Sequence, residues 1–425
     1  VANDFTVIKG GRLIDGTGAG PIPDSVLVIK GDSIQAVGRA GKVEEPAGAK
    51  VIQAAGKTVM PGLIEGHVHL AGLVSMSQLT WLLDDPVTRG MRSVIDAWKL
   101  IDAGFTTVRC CGGAIALYLK KVVNEGGCIG PRLVAAGQAI TQTGGHADIL
   151  HSAPVEWNDR MRLGRIADGV SEVRKACREQ IRAGADFIKI MTTGGVMSET
   201  DKSSSSQFSL EEIRAAVEEA EHVGLMTATH AQGTRGIKSA LIGGVNVIEH
   251  AMYLDEECLE LLQEPDRYVV PTLAIVQAII DKGPLVGVLE SSLNKARLAR
   301  EAHLDSIRRA LEAGVICGLG TDYLSDPMSP MGANAVELEL YVKLLGLSPL
   351  ETIVCATRNN ARVAGLADKL GTLEPGKWAD LLVVKGDPLE DITLLKDRAN
   401  IELVFKGGRQ VPRLEPTWLR TGKMP

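Results

Sequence analysis

The sequence predicts an α/β chain: a (β/α)8 TIM-like barrel with a small β-sandwich domain built from both chain ends. Three observations predict it. Strand-like and helix-like segments alternate from about residue 60 to about residue 370, the grammar of a parallel sheet. Eight strand candidates fall in that stretch, the number that closes a barrel. The segments before and after it share a different texture, β-formers broken by glycine turns.

The opening segment, 1–59, runs Phe5-Thr6-Val7-Ile8-Lys9, Gly10-Gly11, Val26-Leu27-Val28-Ile29-Lys30, Gly31-Asp32 and Ser33-Ile34-Gln35-Ala36-Val37. Such short runs between turn signals predict antiparallel strands and hairpins. The closing segment, 371–425, repeats the pattern at 371–376, 380–384 and 403–408. The two ends are expected to pair into one domain flanking a barrel over 60–370.

Within the barrel the first strand follows Pro61-Gly62 and carries His67 and His69. The other seven are expected at 106–110, 132–136, 187–191, 225–230, 247–250, 268–271 and 315–322. A helix is predicted over 209–224, where Ser209 and Glu212 form a capping box, Ile213, Ala216, Val217 and Ala220 make one face, and Gly224 ends it. Another spans 170–183, with Val173, Ala176, Cys177 and Ile181 inward and Gly184 as its stop. The Gly- and Ser-rich stretch 192–208 is predicted to be a loop on the barrel mouth.

At 425 residues the chain can bury a large core, and its 45% apolar and 23% charged content is that of an ordinary globular protein. A formal charge of −6 with no Lys/Arg block argues against nucleic acid as a partner. No apolar run has the length of a membrane span, so no membrane partner is expected. Seven irregularly spaced cysteines without a CxxC give neither a disulfide framework nor a cysteine zinc site. The expected location is the cytoplasm, with a removed leader left open because the chain begins at Val1. The expected assembly is a homo-oligomer.

His67-Val68-His69 places two imidazoles on one face of a strand end, half of a first-row metal site. Eight histidines in 425 residues give one such pair by chance in roughly one sequence in seven, so the pair alone decides nothing. The other strand ends decide it. Functional groups of a barrel lie where its strands end, and there the sequence places Lys189 on the fourth, His230 on the fifth, His250 on the sixth and Asp322 on the eighth. His222 and His303 fall in helices among charged residues and are expected to face solvent; His151 has no assignable place. An ammonium at Lys189, in an apolar strand beside imidazoles, is disfavoured.

The motifs Pro61-Gly62-Leu63-Ile64-Glu65-Gly66-His67-Val68-His69, Gly104-Phe105-Thr106-Thr107-Val108-Arg109, Thr141-Gln142-Thr143-Gly144-Gly145-His146-Ala147-Asp148, Ile188-Lys189-Ile190, Ile248-Glu249-His250 and Gly320-Thr321-Asp322, with the segment 371–380, resemble the amidohydrolase superfamily. Nearly all of the chain takes part. The likeness is narrower to its imidazolonepropionase-like and prolidase-like group. The resemblance implies N6-carboxylation of Lys189, which turns the ammonium into an anion shared by two divalent metal ions, most plausibly zinc. It assigns one ion to His67, His69 and Asp322 and the other to His230 and His250. A water acidified by both ions would attack an amide carbon, with Asp322 as general base and then acid.

Prolidase-like relatives can carry a tyrosine two residues after the fifth-strand histidine, where this chain has Gln232. Cleavage before proline is therefore not implied. His146, Gln232 and Tyr253 are the polar candidates for holding substrate, expected to be a small-molecule amide: a dipeptide or N-acyl amino acid, ochratoxin-like amides included. The alternatives are a urea, carbamate or lactam substrate, or a non-catalytic metal-binding relative.

Overall fold

A computed structural model describes residues 4–150, 153–197 and 201–413. His151 lies outside the described residues.

The two ends of the chain share one eight-stranded sheet. Phe5–Leu13 pairs antiparallel with Ile22–Lys30, which pairs with Ser33–Arg39. On its other edge Phe5–Leu13 runs parallel to Lys50–Gln53 and, near Leu13, to Lys57–Pro61. Lys57–Pro61 then takes Leu381–Lys385 from the far end of the chain, followed by Ile401–Lys406 and Arg409–Gln410. Residues 371–376, expected to be β, form irregular turns instead; Gly371 and Gly376 have φ near +90°, outside strand geometry. Ile8, Leu13, Leu27, Ile29, Leu381, Val383 and Phe405 close a core between the ends.

Gly62 alone separates this sheet from the first barrel strand, Leu63–Val68. That strand runs parallel to Phe105–Cys110, and the latter to Arg132–Ala135. Phe187–Met191, Met226–Ala231, Val247–His250 and Tyr268–Val270 continue in parallel order. The third position is split. Arg132–Ala135 serves the second strand, the chain turns at Gly137 (φ 75°), and Ala139–Thr141 serves the fourth through Ile140 opposite Ile190. Gly164–Ile166 adds to its outer side.

The eighth strand departs from expectation. Residues 315–322 form no regular ladder; single bridges join Cys317 to Val269 and, one residue past the span, Tyr323 to Val68. Isolated backbone bonds close the gap to the first strand, from Gly66 N to Leu319 O (2.9 Å), Asp322 N to His67 O (2.7 Å) and His69 N to Tyr323 O (2.9 Å), and buried side chains reinforce them. Asn360 donates from Nδ2 to Ile64 O (2.5 Å) and Leu319 O (2.6 Å), and its Oδ1 accepts from Leu319 N (2.9 Å). Glu65 accepts from the backbones of His67 (3.0 Å) and Thr321 (2.9 Å), from Thr321 Oγ1 (3.1 Å) and from Asn334 Nδ2 (2.9 Å). Burial pushes Glu65 up to about 7 against the pull of these donors.

The helices follow the sequence pattern. In Leu210–Glu221 both halves of the Ser209–Glu212 capping box are made, and Ile213, Ala216, Val217 and Ala220 are buried. Each larger apolar side chain buried this way contributes about 1.5–3 kcal/mol. Val170–Arg182 buries Val173, Ala176 and Cys177. The described parts of the stretch 192–208, which are 192–197 and 201–208, are loop, pinned at the stem by a bridge from Thr193 to Ser206. Among the described residues no helix is long and apolar enough to cross a membrane.

Candidate active site

The strand ends bring His67, His69, Lys189, His230, His250 and Asp322 to the wall of one cavity of about 550 Å³. His67 closes on Asp322 with Nε2 3.3 Å from Oδ1, and His69 Nε2 lies 3.1 Å from the same oxygen. Ligand-type atoms of His67, His250 and Asp322 lie within 4.8 Å of one another. His250 stands 5.2 Å from His67 and 4.4 Å from His230, ring centre to ring centre. His230 Nε2 is also 3.2 Å from Gly194 O, a carbonyl that competes for that nitrogen.

Two of these residues are turned inward by unusual backbone. His250 (φ 72°) and Asp322 (φ 58°) adopt the left-handed region, as does Thr272 (φ 58°), whose Oγ1 is 2.7 Å from His250 Nδ1. Non-glycine residues seldom adopt it, and in folded proteins such positions gather at functional sites. At the sixth strand this turn lets successive residues both serve the barrel interior: Glu249 beneath the cluster and His250 in it.

Four imidazoles and a carboxylate are a donor set of the kind that fits a divalent cation, and Lys189 is the member that they leave without a partner. Its side chain is 1% exposed and its Nζ has no hydrogen-bond partner; the nearest carboxylate oxygen, Glu249 Oε1, is 3.8 Å away, beyond bonding range. A buried amine facing imidazoles is costly unless something binds it. Two of the imidazoles are held in the neutral form a metal needs, whereas His67, against burial, is held well above 6.5 by Cys111, Glu249 and Asp322. Burial first, then neighbouring imidazoles and Lys189, holds His230 well below 6.5, and burial holds His250 there too despite Asp322. Burial alone would raise Asp322, but His67 and His69 hold it well below the usual carboxylate range.

His146 joins the cavity wall as expected. Its ring stacks on His230 at 3.9 Å, and Nδ1 is 3.3 Å from Asp201 Oδ2. The approach is so close that a Cβ on Gly195 would lie 2.2 Å from the ring. Gln232 and Tyr253 do not line the cavity. The Gln232 backbone is pinned, donating to Thr193 Oγ1 (2.9 Å) and accepting from Tyr253 N (3.0 Å), and its side chain is buried in protein. His303 is also not where expected: it is 1% exposed, packed against the backbones of His250 and Pro271, and burial pushes it down to about 4. It falls on the buried stripe of helix Glu290–Glu312 with Ala296, Ala299, Ile307 and Ala310. His222 is exposed, as expected.

The remaining wall is mostly apolar. Trp81, Ile149, Leu150 and Leu163 pack together on it, and Met76, Met191, Met197 and Met328 add adaptable surface. Among the described residues that line it, Lys189 is the only Lys or Arg. Sequence reasoning gave no role to Glu65, Arg109 or Glu249, all fully buried. The signal was there: each is a charged residue inside an apolar strand, the feature that singled out Lys189.

The sequence profile of the Amidohydrolase family matches residues 58–411. The ochratoxinase of Aspergillus niger is 33% identical over 95% of this chain and 86% of its own length. A prolidase solved in complex with N-methylphosphonate-L-proline superimposes with a TM-score of 0.88 at 35% identity, covering 96% of this chain and all of its own. An Xaa-Pro dipeptidase solved with bound methionine gives 0.86 at 33% identity, over 96% of this chain and 99% of its own. The chain therefore belongs to the amidohydrolase family and is a hydrolase acting on amide bonds.

Proposed function

We propose that the chain is a binuclear metal-dependent amidohydrolase that cleaves the amide of a dipeptide or N-acyl amino acid with a bulky apolar group beside the scissile bond. The observation that carries this is Lys189 Nζ, buried without a hydrogen-bond partner where four histidines and Asp322 line the same cavity. His67, His69 and Asp322 would hold one ion, His230 and His250 a second, and Lys189, as its N6-carboxy derivative, would serve both; zinc suits such a nitrogen and oxygen set. Two divalent ions supply Lewis acidity, lowering the pKa of a water and polarising a carbonyl.

The chain's own residues do the rest. Asp322 Oδ1, within 3.3 Å of two imidazole nitrogens, is placed to take a proton from the attacking water and return it to the leaving nitrogen. As an imidazolium, His146 would give Nδ1–H to Asp201 and direct Nε2–H at a substrate carboxylate. Trp81, Leu163 and the methionines exclude water from the apolar side of the substrate. The names of its relatives, an ochratoxinase, a prolidase and an Xaa-Pro dipeptidase, support an amide of this kind.

The test is hydrolysis of a panel of N-acyl amino acids, dipeptides, ureas and lactams before and after chelator treatment. Chelator-sensitive cleavage of the amino-acid amides is expected. Turnover of ureas or lactams alone would replace the substrate class, and chelator-resistant turnover would remove the metals.

A further inference from the structure

A second set of buried charges crosses the barrel beneath the histidines. Glu249 on the sixth strand is fully buried; its Oε2 lies 2.8 Å from His67 Nδ1, and its Oε1 accepts from Arg109 Nη1 at 2.6 Å. Arg109 on the second strand is equally buried. Its Nη1 also donates to Gly66 O (3.2 Å), and its guanidinium lies over the Phe187 ring at 4.0 Å. The first, second, fourth and sixth strands thus meet around one carboxylate.

We propose that Glu249 is a positioning residue that fixes the tautomer of His67, with Arg109 holding Glu249 in place. The inference rests on His67 being a metal ligand, as proposed above. A neutral imidazole carries its proton on one nitrogen only. A carboxylate has no proton to give, so the contact at Nδ1 requires Nδ1–H, and the proton that an incoming ion displaces is then the one at Nε2, whose lone pair would serve as ligand. Nε2 is the nitrogen that faces Asp322 and the cavity. The other tautomer would set a ring lone pair against a carboxylate in a fully buried place.

Arg109 has a second effect. By occupying Glu249 Oε1 it leaves Lys189 Nζ 3.8 Å from that oxygen and without a hydrogen bond, so the amine is not locked into an ion pair. Of the other proposed ligands, His69 meets Gly112 O at 3.4 Å at Nδ1, and His250 meets the Thr272 hydroxyl, which can donate or accept. A carboxylate at Nδ1 recurs at His146, with Asp201 at 3.3 Å, but His146 is not one of the proposed ligands.

A buried Arg–Glu pair can also be mere core structure, and then an apolar pair of similar size replaces it without loss. The test separates the two. In the zinc-loaded protein labelled with 15N-histidine, long-range 1H–15N correlation, assigned by comparison with His67→Gln, is expected to show His67 protonated at Nδ1; a bare Nδ1 overturns the proposal without any variant at Glu249. Zinc affinity is then measured by competition with a chromophoric chelator for Glu249→Leu/Arg109→Met and Glu249→Gln/Arg109→Met. The first is expected to bind about 10–100-fold more weakly, with an altered cobalt(II) absorption spectrum, and the second, which keeps an acceptor for Nδ1–H, to recover part of the loss. Unchanged affinity and spectrum in the first variant would reduce the pair to packing. Failure of the unmodified protein to bind zinc in the same titration would instead strike the metal reading itself.

Discussion

Asn360 and Leu319 are paired as two strands would be: the Asn360 side chain accepts from Leu319 N at 2.9 Å and donates to Leu319 O at 2.6 Å. The same Nδ2 reaches Ile64 O, so one side chain reinforces the few backbone bonds that join the first and eighth strands. Asn360→Ala would remove these three bonds; Leu319 O keeps Gly66 N as a donor (2.9 Å), and Leu319 N and Ile64 O lose their Asn360 partner at about 1–3 kcal/mol each where none is recovered. A net loss of about 3 kcal/mol is expected, read as a lower urea midpoint, together with weakened activity because His67 and Asp322 lie on the two strands joined. An unchanged midpoint would mean that backbone contacts alone close the barrel.

Asp322→Asn keeps the size and oxygen of the side chain but loses its basicity. If Asp322 moves the proton, kcat should fall about 10²–10⁴-fold while KM shifts only a few-fold. Steady-state kinetics on the best substrate of the panel check this, and a change confined to KM would make Asp322 a binding group.

His146→Ala should raise KM about 10–100-fold for substrates with a free carboxylate, the loss of one charge-assisted hydrogen bond. Carboxamide or ester counterparts should hardly change. Equal effects on both would mean that His146 shapes the wall beside His230 without reading charge.

Asp96 links helix Pro86–Asp102 to the loop after the eighth strand by accepting from Ser325 Oγ at 2.6 Å. Burial pushes it from 3.8 up to about 6, against the opposing effects of Ser325 and Lys99. With the folded value raised, the fold favours the neutral acid: its contribution is complete below pH 3.8 and is lost as pH rises through about 6. The span amounts to about 2–3 kcal/mol. Melting temperatures between pH 4 and 6.5 should therefore fall with pH more steeply for the unmodified protein than for Asp96→Asn. Parallel curves would show that Asp96 is solvated.

Much of the site is legible in sequence because its members are polar residues in or next to apolar strand-like runs, as Lys189 is between Ile188 and Ile190. The eighth strand is not. Gly66 and Gly320 mark where the first and last strands come too close for side chains: a Cβ on Gly66 would lie 2.6 Å from Leu319 O, and one on Gly320 2.7 Å from His67 N. The side chains that reinforce the backbone bonds there, Asn334 and Asn360, come from later in the chain, where no local pattern announces them. His303 was legible and misassigned, since its spacing with Ala299 and Ile307 places it on the inward stripe. Gln232 failed for another reason: nearness in sequence to His230 does not set which way a loop side chain points.

Lys189 tests the central claim most directly. Elemental analysis of active protein purified without chelators, set beside Lys189→Ala with its fold verified by circular dichroism, is expected to give close to two divalent ions per unmodified chain. In the variant, metal should be lost and activity abolished, with short carboxylic acids restoring some of the rate. An active unmodified protein reproducibly free of metal, or a fully active Lys189→Ala, would contradict the account.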